Sequence, residues 1–278
     1  MRFSIITCTR DSAEYLEENM HSVRNQTFKD YEHIFIDGNS LDRTNEIIAE
    51  YRKSNPSKIH TFSVAPHGIS NAMNAGIRKA QGEYIIHLHS DDKFHDFDVL
   101  REVDQYLKKY HVDWIYGQEK LVDRMGLLLG FKSRGFLARQ RSGFLGKIIL
   151  TYFHIVRHQS VFIKKSVFER FGLFDEHIRC PMDLDMWLRI KDRTKWSHIE
   201  RTVSNFMVRD DSISFSTGGM GPAFRETYVV YRKHLRFHQK VLKLLLDTLE
   251  PLSRFKLREA KWKCVSIYKI FFRQNNVS

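Results

Sequence analysis

Short apolar runs alternate with amphipathic stretches along the first hundred residues. Residues 2–8 (RFSIITC) form an apolar, β-branched run, and residues 13–23 carry Tyr15, Leu16, Met20 and Val23 at helical spacing. A second run, YEHIFIDG (31–38), stops at Asp-Gly. Asp42 can cap a helix reaching about Tyr51, with Ile47 and Ile48 on its inner face. KIHTFSV (58–64), a helical stretch over 69–79 and EYIIHLH (83–89) continue the alternation. Strands that alternate with helices predict βαβ units, and so an α/β fold with a Rossmann-like, mostly parallel sheet flanked by helices. Ligands bind such sheets beyond the carboxyl ends of the strands. That rule puts residues 7–11, 37–40 and 89–92 along one rim.

The second half is less regular. Residues 98–110 (DVLREVDQYLKKY) read as an amphipathic helix and 112–118 (VDWIYGQ) as a strand. Residues 124–158 are basic and glycine-studded around an apolar island, FLGKIILTYFHIV (144–156). QSVFIKKSVFERFGLFDE (159–176) reads as a strand or bend into a helix. PMDLDMWLRIKD (181–192) starts a helix, and TVSNFMV (202–208) reads as a last strand. After Gly221-Pro222 the chain reads as helical to its end.

Composition bounds the function. The 278 residues are 42% hydrophobic and 28% charged, as expected of a packed globular chain. No apolar run is long enough to span a membrane, and the apolar run at the start is too short for a signal-peptide core. Cys8, Cys180 and Cys264 are too scattered for a disulfide framework or a zinc knuckle, and fit a reducing compartment. The first hundred residues carry a net charge of −4 and the rest +16, within a formal total of +12. Between Asp123 and Glu169 there is no acid, against nine Lys and Arg. This asymmetry predicts an anionic ligand or surface.

Acids carry the candidate chemistry. Asp37 follows HIFI, Asp91 and Asp92 follow IIHLHS, and Asp183 and Asp185 straddle Leu184 at a helix start. Each alone is also explained as a turn former, a cap or a helix-dipole partner. Together, on the rim of a parallel sheet, they point to a cation-assisted site.

From residue 2 to about 214 the chain resembles the inverting GT-A glycosyltransferases of family 2. The resemblance is carried by SIITCTRDSAEYLEENMHSVRNQTFKDYEHIFIDGNSLDRT, HGISNAMNAGIRKAQGEYIIHLHSDD, RHQSVFIKKSVFERFGLFDE and MDLDMWLRI, in that order. It is nearest the bacterial branch that builds capsule, exopolysaccharide or O-antigen. The resemblance implies nucleotide contacts from Thr9, Asp37, Asn74 and Ser90, with Asp37 accepting from a uracil imide. Asn74 and Gly76 fall in the segment that passes the nucleotide. His89-Ser90-Asp91 stands at the Asp-x-Asp position, so Asp91, with His89, would hold a divalent metal, Mn²⁺ or Mg²⁺. Asp183 stands where the base deprotonates the acceptor hydroxyl, with Asp185 supporting the site or the helix.

Four positions depart from the pattern. His89 replaces the first acid of the metal motif and Gly38 an acid after Asp37. Met182 stands where many members have Glu, and Asn71 where this branch often has Asp. A zinc site of His87, His89 and Asp91 is the alternative that the histidines suggest.

The implied partners are a nucleotide-sugar donor, UDP-linked by preference, and a lipid-linked glycan acceptor. An anionic membrane surface is the third, met by 131–156 and by the tail FKLREAKWKCVSIYKIFFRQ, with no nucleic acid. The chain would be cytoplasmic and peripheral at the inner face of the cell membrane. The implied organisation is a transferase domain over 1–218, with a nucleotide half (1–118) and an acceptor half (119–218), then a basic helical extension (219–278). Two rival readings are a degenerate transferase that binds nucleotide without turnover and a basic nucleic-acid-binding protein. The second lacks any helix-turn-helix, zinc-finger or RNP-like signature. A dinucleotide oxidoreductase is weaker still, because no GxGxxG follows the first strand.

Overall fold

The structure, a computed structural model, describes residues 1–132, 142–208, 220–236, 239–240 and 243. Its elements run β1 (Phe3–Thr9), α1 (Leu16–Arg24), β2 (Tyr31–Asp37), α2 (Thr44–Lys53), β3 (Ile59–Ser63), α3 (Ile69–Lys79), β4 (Tyr84–His87), β5 (Lys93–Phe94) and α4 (Val99–Tyr110). They continue through β6 (Trp114–Val122), β7 (Leu128–Lys132), α5 (Phe144–Tyr152), a 3₁₀ turn (His158–Ser160), β8 (Val161–Lys164), α6 (Lys165–Phe171), α7 (Met182–Ile190), β9 (Trp196–Met207) and α8 (Met220–His234). The chain divides into a compact unit of Met1–Val230 and a second, Tyr231–Ser278. Of the second, only residues 231–236, 239, 240 and 243 are described.

One curled sheet joins the strands in the order β3-β2-β1-β4-β8-β6-β9-β5, with β7 hairpinned onto β6. The first four run parallel, as the βαβ pattern requires. Beyond β4 the sheet is mixed. β8 is antiparallel to both β4 and β6, while β6 and β9 are parallel. The parallel expectation holds over β3-β2-β1-β4, while beyond it β8 enters antiparallel and β7 follows β6 through a hairpin rather than a crossover helix.

The core forms on both faces of this sheet. One side packs α4, through Val99, Leu100, Val103 and Leu107, against Phe3, Ile5, Ile86 and Phe162. The same side, farther toward β3, packs Leu16, Met20 and Ile48 around Phe35, and the opposite side packs α3 against Ile6 and Ile36. Central strands buried on both faces read as near-continuous apolar runs, as FSIITCT does, while YEHIFID also buries Glu32, His33 and Asp37, each hydrogen-bonded. Helix α3 lies unusually close to the sheet. A Cβ on Gly76 would come within 2.5 Å of Ile6 Cγ2, so only glycine fits there. Its place is therefore explained by packing.

A stacked tryptophan cluster sets α7 in position. Trp114 on β6 lies 5.1 Å from Trp187 and 5.2 Å from Trp196, both rings nearly parallel to it. The Trp187 indole also donates to Val156 O (3.2 Å), which ties α7 to the segment before the 3₁₀ turn.

Candidate active site

β1, β2 and β4 end side by side at a cleft of about 440 Å³, lined among others by Thr9, Gly38, His89, Ser90, Asp91, Asp92, His158 and Asp183. Beyond β1 and β2 the backbone turns through Asp11 and Asn39, both with positive φ (46° and 59°). Asp37 sits behind this rim, fully buried. It accepts hydrogen bonds from Thr9 Oγ1 (2.9 Å), Ser40 N (2.9 Å), Ser40 Oγ (2.5 Å) and Asn45 Nδ2 (3.1 Å). Burial works to raise its pKa. The bonds from Ser40, Asn45 and Thr9 outweigh burial and hold the carboxyl below its ordinary value. Four bonds use the acceptor capacity of a carboxylate. In this conformation Asp37 organises the rim, and Thr9 and Gly38 face the cleft.

After β4 the chain makes a tight turn, closed by Asp92 N donating to His89 O (3.0 Å). The side-chain amide of Asn19 on α1 holds this turn by donating to His89 O (2.8 Å) and Asp92 O (2.9 Å). Ser90 donates to Ser12 Oγ (3.0 Å), linking the β4 and β1 rims. Asp91 is half-buried on the cleft wall. Asp92 is only 1% exposed, and neither carboxylate oxygen makes a well-formed hydrogen bond. Burial, then Asp91, then Glu119 raise its pKa well above the ordinary value, and the Met207 and His89 amides offset this only in part.

This arrangement suits a divalent cation. Two adjacent carboxylates, one of them buried and under-satisfied, would lose their mutual repulsion beside a bound cation. Ions of the Mg²⁺ type are held by one or two carboxylates plus substrate phosphates, so no cage of protein ligands is needed. Among the described residues no group of three or more His, Cys, Asp or Glu gathers as a ligand set. The zinc alternative therefore finds no assembled site. His87 is buried with Nε2 unpartnered and its ring against Phe174. Desolvation pushes its pKa down to about 3.

The Asp92 shift has a stability consequence. A raised folded-state pKa means that the folded chain binds the proton more tightly, so stability falls as pH rises through the folded value. Asp92→Asn cannot ionise. In chelator-treated protein at neutral pH it is expected to melt above the wild type, and the gap should close as pH drops below the ordinary carboxylate range. Equal melting temperatures at neutral pH would show that Asp92 carries no such penalty.

Asp183 opens α7 and is 2% exposed. His154 Nε2 lies 2.9 Å from Oδ1, and His158 Nδ1 lies 3.5 Å from Oδ2. Leu184 N also donates to Oδ1 (2.8 Å). Burial would raise this carboxyl. The charge and hydrogen bond of His154, with those of His158, prevail and hold it well below the usual range. The chain of rings extends further, for His158 Nε2 is 2.9 Å from His89 Nε2. His89 thus turns one nitrogen toward the Asp183 side, and its buried Nδ1 has no partner. Desolvation, then His158 and His87, push His89 well below its ordinary pKa. Asp185 is fully buried and pairs with Arg189, which also donates to Phe171 O and Leu173 O. It braces α7 against the end of α6.

Thr9, Ser90, His89, Asp91 and Asp183 therefore meet at one cleft. Asn74 does not line it. Its side chain donates to Phe174 O (2.9 Å) and Glu176 Oε1 (2.8 Å) and accepts from Phe174 N (3.0 Å), pinning α3 to the segment after α6. His154 and His158 were not singled out from sequence. Their only local signal is the four-residue spacing within HIVRH, and nothing local ties that spacing to Asp183.

The sequence model of Glycosyl transferase family 2 matches residues 4–170. The chain belongs to glycosyl transferase family 2. It is 27% identical over 219 residues to the hyaluronan synthase of Pasteurella multocida, an alignment covering 78% of this chain and 21% of that protein. The chain thus spans about a fifth of that relative's length. Among solved structures it resembles Staphylococcus aureus TarS 1-349 in complex with UDP-GlcNAc, with TM-score 0.68 and 17% identity over 83% of this chain and 65% of that one. It also resembles the mannosyltransferase PcManGT from Pyrobaculum calidifontis in complex with GDP-Man and Mn²⁺, with TM-score 0.60 and 14% identity over 97% and 82%. The fold is the GT-A fold that the sequence predicts.

Proposed function

We propose that the chain is an inverting, metal-dependent glycosyltransferase that moves a sugar from a nucleotide-sugar, UDP-linked by preference, to a hydroxyl of a lipid-linked glycan during capsule, exopolysaccharide or O-antigen synthesis. The observation that carries this reading is the buried Asp183 carboxylate opening onto the same cleft as the strand-end rim of Thr9, Ser90 and Asp91. That hyaluronan synthase is a relative, and that TarS and PcManGT hold UDP-GlcNAc and GDP-Man, supports a nucleotide-sugar donor here.

Thr9, Ser90 and the β1 and β2 rims would seat the nucleotide. A uracil imide could reach Asp37 if it displaces the Ser40 hydroxyl. Asp91, flanked by His89, would hold Mn²⁺ or Mg²⁺. A divalent ion supplies charge neutralisation for a departing diphosphate. Asp183 takes the acceptor hydroxyl's proton as that oxygen attacks the anomeric carbon. The new C–O bond forms while the bond from carbon to the diphosphate oxygen breaks, and the nucleoside diphosphate leaves with the electron pair. One displacement inverts the centre. His154 and His158 keep Asp183 ionised and aimed. Release of UDP from a panel of UDP-sugars in the presence of Mn²⁺ tests the reading; no release from these or from GDP- and dTDP-sugars would sink it.

The histidines make a pH prediction. Asp183 acts only when ionised, and His154 helps to hold its pKa well down. His154→Ala should move the acid limb of the kcat profile to higher pH while leaving UDP affinity unchanged. An unmoved acid limb would remove His154 from this role.

A peripheral membrane role rests on surface chemistry. Helix α5 exposes Phe144 (82%), Leu145 and Ile148 on one side while burying Ile149, Leu150 and Tyr152 on the other. Such a face, in a stretch rich in Lys and Arg and free of acid, suits an anionic bilayer. No helix among the described residues is long and apolar enough to cross a membrane. The basic aromatic tail lies outside the described residues. Co-sedimentation with phosphatidylglycerol vesicles at low salt, reduced in Phe144→Ser, is the expected result, and failure of the wild type to sediment would remove this part.

A further inference from the structure

Two arginines on the Asp183 side of the cleft have no role in the mechanism above. Arg157 directly precedes His158, whose ring touches Asp183, and Arg179 lies three residues before the start of α7. Both line the cleft. Among the described residues neither guanidinium has an ion pair or a hydrogen bond. Local sequence offers Arg157 no partner either, since no acid occurs between Asp123 and Glu169.

Their backbones are nonetheless fixed. Glu226 on α8 accepts from Arg179 N (3.1 Å) and Cys180 N (3.0 Å). Arg157 is anchored through its carbonyl, which accepts from Ser160 N (3.1 Å) and Ser160 Oγ (3.1 Å). Arg157 and Asp183 also share one neighbourhood. The Cys180 thiol is raised first by burial and then by Asp183, while Arg157 pulls it back. A third cleft arginine, Arg10, follows β1 and stands apart, beside the donor rim.

Unpaired guanidinium groups at the wall of a cleft are poised for an anion. Arginine presents a planar fork that matches carboxylate and phosphate geometry in a bidentate way. The Asp183 carboxylate already accepts from two histidines and from Leu184 N, and neither guanidinium pairs with it. The anion they await is thus exogenous, and it sits on the base side of the cleft.

We propose that Arg157 and Arg179 bind an anionic group of the acceptor, a phosphate or a carboxylate next to the hydroxyl that Asp183 deprotonates. The proposal rests on the transferase reading and specifies its acceptor: a glycan with a negative charge close to the site of attack. Arg157 is half-buried and Arg179 exposed, so a neutral glycan seated over them would cover guanidinium groups now open to water without compensation.

The test uses the full chain saturated with UDP and Mn²⁺, which closes the donor's own diphosphate site to the probes. Methyl phosphate, methyl glucuronide and methyl glucoside are titrated by calorimetry. One of the two anionic probes is expected to bind at least about tenfold more tightly than the neutral glucoside, as hydrogen bonds to charged groups imply. Which of the two it is separates a phosphate-bearing acceptor from a uronic acid. Arg157→Gln and Arg179→Gln, made singly and together, should bring the anion down to the glucoside's affinity while UDP affinity holds.

Equal binding of all three probes by the wild type would overturn the proposal. So would arginine variants that lose UDP affinity, because the pair would then serve the donor diphosphate. If the wild type binds none of UDP, GDP and dTDP, the donor reading fails by itself. The same titration on the unliganded chain then decides the arginine pair: a preference for an anion that both variants abolish supports it, and its absence refutes it.

Discussion

Asp183→Asn is expected to bind UDP as the wild type does and to lose turnover by roughly 10²- to 10⁴-fold, the contribution that general acid–base catalysis supplies. The substitution preserves size and the start of α7 but removes the lone pair that takes the proton. It also changes the local hydrogen bonding. The carboxylate accepts from His154, His158 and Leu184 N, whereas an amide has only one accepting oxygen. One imidazole must then turn an accepting nitrogen toward the new NH₂ group. A melting curve with UDP present separates this rearrangement from loss of the fold. The steady-state transfer rate then reads the chemistry alone, and near-normal turnover would take the base role away from Asp183.

The second large effect concerns Asp91. UDP with Mn²⁺ is expected to stabilise the wild type by about 2.7 kcal/mol when the ligand is at roughly 100 times its Kd. That corresponds to a rise of several degrees in melting temperature, at about 2–4 °C per kcal/mol for a domain of this size. Asp91→Ala should lose the Mn²⁺-dependent part of this shift. The contrast with Asp92 is informative. Both line the cleft, but Asp92 is buried with both oxygens under-satisfied, whereas Asp91 is half-buried and more open to a cation shared with a diphosphate. Both variants can be melted side by side. Removing Asp92's charge should raise metal-free stability, and removing Asp91's carboxylate should abolish the metal-dependent gain. A full Mn²⁺-dependent shift retained in Asp91→Ala would place the cation elsewhere.

Much of the architecture follows from local pattern. Short β-branched runs such as FSIITCT and the HIFI of YEHIFID, bounded by turn residues, read as central strands, and the helices between them direct those strands to run parallel. Parallel strands end together, so Thr9, the Asp37 turn and residues 89–92 had to share one rim. That inference needs only periodicity and handedness, both of which are properties of neighbouring residues. Ordered motifs likewise sufficed to recognise the family, because several short signatures at set separations are far more specific than any one of them.

What tertiary structure decided is how side chains distant in sequence converge. The carboxylate of Asp37 appears in sequence as an open acceptor. In the fold it is filled by Thr9, Ser40 and Asn45, because β1 and β2 lie in register, Thr9 beside Asp37. Asn74 appears as a cleft residue, yet the turn of α3 on which it sits faces Phe174, a hundred residues onward. His154 and His158 reach Asp183 because the tryptophan stack draws α7 against β6 and the Trp187 indole holds Val156, which lies between the two histidines. None of these contacts has a local period to betray it. The chain's order of strands and helices, its rim and its family were thus legible from the sequence, since they depend on spacing. The hydrogen-bond partners of each carboxylate, and the placing of Arg157 and Arg179 on the wall of the cleft that Asp183 lines, were settled only by packing, because each depends on which surfaces the sheet order brings together.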